Sequence, residues 1–180
     1  MHPKTIPEHI LDWVALIEKL AEADRDSLLA HFLALDAEDR RLRFGLSVSD
    51  EHIERYVGGI DFETSQMYGV RSGPGEWLGI GHLNIDANGE TAELGLSVLP
   101  SARGRGLGAA IFRSAVAQAA RAGAQRLYMH FLTTNKAILS IARSAGMTIQ
   151  SGGGESDAYL VVPDPAEMVR LLIQEQQEAA

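Results

Sequence analysis

The sequence predicts one α/β (α+β) domain, and three features of the 180-residue chain carry that prediction. Its first third reads as short amphipathic helices, and beyond Gly59 the periodicity changes to strands interleaved with helices. Asn88-Gly89, set between two β-rich runs, is a hairpin signal. Further on, an apolar strand feeds a loop with glycine at 104, 106 and 108, and a helix starts directly out of that loop.

In chain order, Pro7 to Ala23 carries Ile10, Trp13, Val14, Ile17 and Leu20 at helical spacing, which predicts an amphipathic helix. Asp26 to Leu35 and Ala37 to Phe44 follow as second and third helices. Ser49 ahead of Asp50-Glu51, with Ile53, Tyr56 and Val57 behind, predicts a fourth that ends at Gly58-Gly59. Strands are expected over Ser65 to Val70, Trp77 to Ile85 and Thr91 to Val98. The helix after the glycine loop repeats Leu107, Ile111, Ala115 and Ala119, with Phe112 and Val116 widening the stripe, so one face should pack on a sheet. Arg126 to Leu132 is a strand, Thr134 to Ala145 a helix, and Met147 to Gln150 and Ala158 to Val162 two more strands, joined by a turn at Ser151-Gly152-Gly153-Gly154. Asp164-Pro165 opens a C-terminal helix with Val169, Leu172 and Ile173 on one face. No repeat or linker splits the chain, so residues 1–180 are expected to form one unit: a helical segment over 1–59, a core over 60–162 and a terminal helix over 163–180.

The composition bounds the function. With 46% hydrophobic residues the chain suits a globular protein, and no apolar run is long enough to span a membrane. There is no cysteine, which removes disulfides, thiolate metal sites and a cysteine nucleophile. A net charge of −8 argues against a nucleic-acid partner and mildly favours a cationic substrate. The chain opens on no apolar targeting segment, so the expected location is cytoplasmic.

The glycine loop is an anion cradle by its chemistry. Glycines let backbone N–H groups converge on a ligand, and the first turn of a helix leaves several N–H groups unpaired. Phosphate oxygens suit both features, and Arg103 and Arg105 add positive charge in an acidic chain. A P-loop would need Gly-Lys-Ser/Thr where Gly108-Ala109-Ala110 stands. A dinucleotide fold would want an acidic residue ending the next strand, which instead runs His130-Phe131-Leu132-Thr133-Thr134, so a nicotinamide cofactor is the weaker reading.

Strand Thr91 to Val98 alternates Leu94, Leu96 and Val98 with Glu93, Gly95 and Ser97. Across the hairpin, Ile80, His82 and Asn84 share the face of Glu93, and one of two registers sets His82 directly opposite it. The expectation is a polar patch of His82, Asn84 and Glu93 over a hollow at Gly95. Such a patch suits a general base, because a free amine of pKa ~10.4 must lose a proton before it attacks a carbonyl. His130 is a weaker third candidate. His9, His31 and His52 lack metal-ligand spacing and read as surface or boundary residues, so no metal is expected.

Arg103-Gly104-Arg105-Gly106-Leu107-Gly108 between strand and helix, and Asn135-Lys136-Ala137 opening the next helix, resemble the GNAT superfamily of acyl-CoA N-acyltransferases. Arg103, Gly106 and Gly108 fill its Gln/Arg-x-x-Gly-x-Gly/Ala motif. The resemblance covers roughly residues 60 to 162 and implies a mixed, mainly antiparallel central sheet flanked by helices, with two central strands partly parted. It also implies acetyl-CoA as co-substrate: its pyrophosphate on the backbone of Arg103, Gly104, Arg105, Gly106, Leu107, Gly108 and Ala109, its pantetheine arm along Leu96 to Val98, and Asn135 near the thiol end. Upstream, Leu35 to Phe44 followed by Ser49-Asp50-Glu51 is similar to the leading helices of the bacterial protein-lysine acetyltransferase branch, in which a glutamate placed like Glu93 is implicated as base. The tyrosine that many members carry seven residues after the asparagine is absent, and Ala142 stands there.

The sequence therefore points to an acetyl-CoA-dependent N-acetyltransferase acting on a primary amine in a ternary complex, with Glu93 as base and His82 assisting. A non-catalytic acyl-CoA-binding module is the alternative. The acceptor, the acyl length and a homodimer stay open.

Overall fold

The computed structural model describes residues 16–73 and 75–164. Strand β1 (Glu18–Lys19) is followed by helices α1 (Arg25–Leu33), α2 (Ala37–Phe44) and α3 (Asp50–Gly58), then strands β2 (Gln66–Arg71), β3 (Trp77–Ile85) and β4 (Thr91–Val98). Helix α4 (Leu107–Arg121), strand β5 (Arg126–Leu132), helix α5 (Lys136–Ser144) and strands β6 (Thr148–Gly152) and β7 (Glu155–Val161) complete the described chain. The strands form one sheet in the order β1-β2-β3-β4-β5-β7-β6, antiparallel throughout except where β4 lies parallel to β5.

Local chemistry sets the helix ends. Asp36 caps α2 by accepting from the Asp39 N–H at 2.8 Å, and Gly45 closes it at φ 79°. Ser49 caps α3 through the His52 N–H, and Asn135 caps α5 through the Ile138 N–H at 3.1 Å. That cap moves the α5 start two residues past the expected Thr134. The β6–β7 strands are longer than their apolar cores suggested, because Gly153 and Gly154 take φ of 62° and 92° and make a tight turn between Gly152 and Glu155.

The sheet carries a core on each face. On one, α4 lays Phe112, Ala115 and Ala119 against Leu83, Leu94, Leu127 and Met129, and Leu107 and Ile111 cluster with Val70 and Leu78. The helix sits close because β3 offers Gly79 and Gly81 beneath it; a Cβ at Gly81 would stand 2.6 Å from Ile111 Cγ2. On the other face, Leu28 and Phe32 of α1 and Ile53 and Val57 of α3 bury Trp77 and Ile80. Among the described residues no helix is long and apolar enough to cross a membrane.

The expected helix over Pro7 to Ala23 is overturned where it is described. Glu18 and Lys19 pair with Gly69 and Tyr68 of β2, the Leu20 N–H donates to Met67 O at 2.9 Å, and a 3₁₀ turn (Glu22–Asp24) follows. Burying Leu20 requires only that it lie under the sheet, and the unpaired side of β2 supplies backbone partners that a helix would leave unmet. Residues 7–15 of that helix and 165–180 of the expected terminal helix lie outside the described residues.

Candidate active site

The parallel joint between β4 and β5 is short. Thr91, Ala92 and Glu93 face Arg126, Leu127 and Tyr128, and beyond Glu93 the two strands part. The β3–β4 bonds fix which groups face the gap. Asp86 N–H donates to Thr91 O and Leu99 N–H to Leu78 O, so the odd-numbered residues of β4 bond toward β3. The N–H and C=O groups of Leu96 and Val98 therefore point across the parted side. At its far end stands the glycine loop, where Gly104 and Gly106 take φ of 72° and 81° and Gly106 leads straight into α4. The first N–H groups of α4 are left without helical partners. Gly108 lies below Ile141 of α5, whose Cδ1 would be 3.2 Å from a Cβ there.

Two cavities open along this cleft. One of about 110 Å³ is walled by Leu96 and Val98 of β4, Arg103, Asp39 of α2, and Asn135 and Ile138 of α5. Arg103 ties it together: Nε donates to Val98 O at 3.0 Å and Nη2 pairs with Asp39 Oδ1 at 2.7 Å. Asp39 Oδ2 is buried with no hydrogen-bond partner. Asn135, itself buried, uses its carbonyl oxygen as the α5 cap. The second cavity, about 220 Å³, has Glu93, Gly95 and His130 in its lining. Leu42 and Arg43 belong to both.

The expected patch is only partly assembled. The hairpin register sets Asn84 opposite Glu93 and His82 opposite Gly95, so the arrangement with His82 directly opposite Glu93 is not the one adopted. The hairpin loop closes on the Asp86–Thr91 pair, with Gly89 at φ 77°. Glu93 is exposed at the cavity, whereas His82 is 8% exposed and turns toward α3, where Nδ1 lies 2.7 Å from Tyr56 Oη. Its Nε2 is buried without a partner, and burial, with Arg43 adding to it, pushes its pKa down to about 4. The hollow at Gly95 is filled. A Cβ there would stand 2.8 Å from Arg43 Cζ and Nη2, so α2 lays a guanidinium where open space was expected.

His130 shares the Glu93 face, two residues beyond Tyr128 on β5. Its Nδ1 is 2.8 Å from Asp157 Oδ1 of β7, and that hydrogen bond raises its pKa. His31, expected at the surface or a boundary, is buried at 3% exposure. Nδ1 donates to Trp77 O at 2.7 Å, which leaves Nε2 to accept from Ser97 Oγ at 2.8 Å; burial lowers its pKa to about 4. Desolvation of a neutral ring bonded to a strand carbonyl is compatible with the core, and helical spacing alone does not reveal it. Arg43 went unmarked because nothing local separates it from Arg40 and Arg41, which pair with Asp50 and Glu38. The one available signal was Gly95, since a glycine inside a strand marks a close approach.

A family profile described as the acetyltransferase (GNAT) domain matches residues 15–148. The chain belongs to the GNAT acetyltransferase family. This GNAT chain also shares its fold with solved structures. The GNAT domain of Streptomyces lividans PAT aligns at 20% identity and TM-score 0.67, over 81% of this chain and 89% of that one. A putative phosphinothricin N-acetyltransferase aligns at 16% identity and TM-score 0.64, over 82% and 98%. The putative acetyltransferase yncA from Salmonella typhimurium, solved with its cofactor acetyl-CoA, aligns at 16% identity and TM-score 0.60, over 83% and 95%. No curated protein sequence matches this GNAT chain.

Proposed function

We propose that the protein transfers an acetyl group from acetyl-CoA to a primary amine within a ternary complex. The observation that carries this reading is the parted β4–β5 joint, where Leu96 and Val98 have no strand partner on the β5 side and lead into the N–H groups at the glycine loop. An extended pantetheine arm would take the place of the missing strand partner, and the pyrophosphate would sit on the backbone from Arg103 to Ala109. Arg103 anchors the loop to Val98, and Asn135 borders the thiol end.

Chemistry then falls between the cavities. Glu93, facing the second cavity, removes a proton from the bound ammonium through water, and the amine attacks the thioester carbonyl. A β4 N–H near Val98 steadies the oxyanion. The C–S bond breaks as the amide forms, and the coenzyme leaves as a thiolate of pKa ~8.5 that needs no obligatory acid. His82 supports this arrangement from beneath through Tyr56, which receives a hydrogen bond from Arg43 Nη2 at 3.1 Å. His82 is buried toward α3 with Nδ1 engaged by Tyr56 Oη, away from the exposed Glu93, so positioning is the role assigned to it.

Thermal unfolding with coenzyme A, acetyl-CoA and NAD tests the reading, because a ligand that binds only the native state raises Tm. Acetyl-CoA should raise Tm in the wild type and not in Gly106→Glu; no shift with any coenzyme A species would sink the proposal. Ala142, fully buried where many relatives of this fold carry a tyrosine, favours the second reading, a non-catalytic acyl-CoA-binding module. Binding without turnover across a broad amine panel would establish that alternative.

A further inference from the structure

Arg43 is a cation at the centre of the cleft without an anion. Its guanidinium lies over Gly95, among the rings of Phe32, Phe44 and Tyr56 at 5.7, 5.0 and 5.9 Å. Among the described residues no carboxylate comes within ion-pair distance of it, although Arg25, Arg40, Arg41, Arg71 and Arg103 each have one. Among the described residues it donates one hydrogen bond, to Tyr56 Oη, and its buried Nε has no partner. A guanidinium offers five N–H donors in a planar fork that matches a carboxylate. Removing such a group from water without a counter-charge is costly unless something else completes it.

The surroundings hold the fork in place. Tyr56 Oη bridges Arg43 to His82 Nδ1, and His82 is more than nine-tenths buried with Nε2 unpartnered, a polar side chain whose bonding serves the guanidinium. On the same sheet face, Glu93 stands two residues of strand away from Gly95, about 7 Å along β4. The second cavity thus has an acidic end at Glu93 and a cationic end at Arg43. We infer that the acceptor is a small zwitterionic amine, an amino acid or a compound of like charge, whose carboxylate pairs with Arg43 while its amino group faces Glu93. The inference rests on the transferase reading for the role of Glu93, but the Arg43 site stands on its own geometry. A lysine side chain in a protein would bring only a cation to this cavity and would leave Arg43 unmatched.

The test compares amino acids with their amides, pairs that keep the amine and remove the negative charge. Calorimetric binding to the full chain, with and without coenzyme A, and acetylation rates at fixed acetyl-CoA are both read. At least one amino acid should bind and react about tenfold or more better than its amide, a margin equal to one good ion-pair contact. Arg43→Gln should bring that ratio near unity. Because the ratio is taken at one enzyme and one acetyl-CoA concentration, it is independent of any change that Arg43, which also lines the first cavity, makes in coenzyme binding. Tyr56→Phe, which removes one oxygen and keeps the ring packing, should reduce the ratio severalfold and guards against misfolding of the first variant. Amino acids and amides bound alike by the wild type would overturn the inference, as would lysine peptides favoured over every free amino acid. An Arg43-dependent preference for succinyl-CoA over acetyl-CoA would also overturn it, because the carboxylate would then belong to the acyl chain. Failure of acetyl-CoA to bind would instead count against the transferase reading, and binding of amino acids against amides would still decide the Arg43 site.

Discussion

Gly95→Ala isolates the contact between α2 and β4. Gly95 sits in strand backbone that alanine adopts without strain, so a methyl group there would normally help the strand slightly. Here the new Cβ would lie 2.8 Å from Arg43 Cζ and Nη2 and 2.9 Å from Nη1, inside van der Waals contact. The guanidinium is the end of a flexible chain and would move. Moving it forfeits the hydrogen bond to Tyr56, about 1 kcal/mol, and part of three ring contacts, each about 0.5–1 kcal/mol. The expected cost is about 1–3 kcal/mol, which for a chain of this length lowers Tm by about 2–4 °C per kcal/mol. Urea unfolding of wild type, Gly95→Ala, Arg43→Ala and the double variant forms a cycle. If the guanidinium is the cause, Gly95→Ala should cost almost nothing once Arg43 is alanine. An equal cost in both backgrounds would refute the contact as the source and place the penalty in the strand backbone.

Other outcomes follow from the same geometry. Glu93→Gln should lower kcat by roughly 10²–10⁴ while the acetyl-CoA Kd holds, measured by steady-state rates and calorimetry; an unchanged kcat would remove Glu93 from the proton transfer. His31 and His82 have pKa values near 4 in the fold against about 6.5 unfolded, so the unfolded chain binds more protons between those values. Their contribution is complete above about pH 6.5 and is lost as pH falls toward 4, roughly 3 kcal/mol for each if fully realised. Urea midpoints from pH 7.5 down to 5 should fall, and less steeply in His82→Gln; equal slopes would contradict the burial argument. Gly81→Ala should destabilise by about 1–3 kcal/mol through the Ile111 clash, and Ile111→Val should not restore it fully unless Cγ2 rotates away, as melting of the double variant would report.

The sequence exposed those parts of the fold in which local and global preferences agree. The β3–β4 hairpin, α2, α3, α4 and the glycine loop each carry their own cap, turn residue or periodic stripe, and each has its expected place. It failed at Leu20, where one apolar spacing suits both a helix and a strand beside β2, and the choice depends on a hydrogen bond that Leu20 N–H donates to Met67 O, distant in the chain. The site divides in the same way. Glu93 and Gly95 lie on one face by strand parity alone, but which of His82 and His130 reaches the open cavity depends on Tyr56 and Asp157, contributed by other elements. Arg43 itself carried no mark, and Gly95 signalled only that something approaches the strand; which side chain does so is a property of three dimensions.

The parting of β4 from β5 has a further consequence for how the protein keeps to itself. A strand with one unpaired side is a template for pairing with another chain, and such edges usually lie at the rim of a sheet, where they invite aggregation. Here the unpaired side is in the middle of the sheet, beneath α2 and beside α5, and Leu96 and Val98 line a cavity between those helices. Flanked by two helices, that edge is not laid open along the rim as an outer strand would be. The molecule thus keeps this unpaired edge in its interior, away from the rim where strands of other chains add.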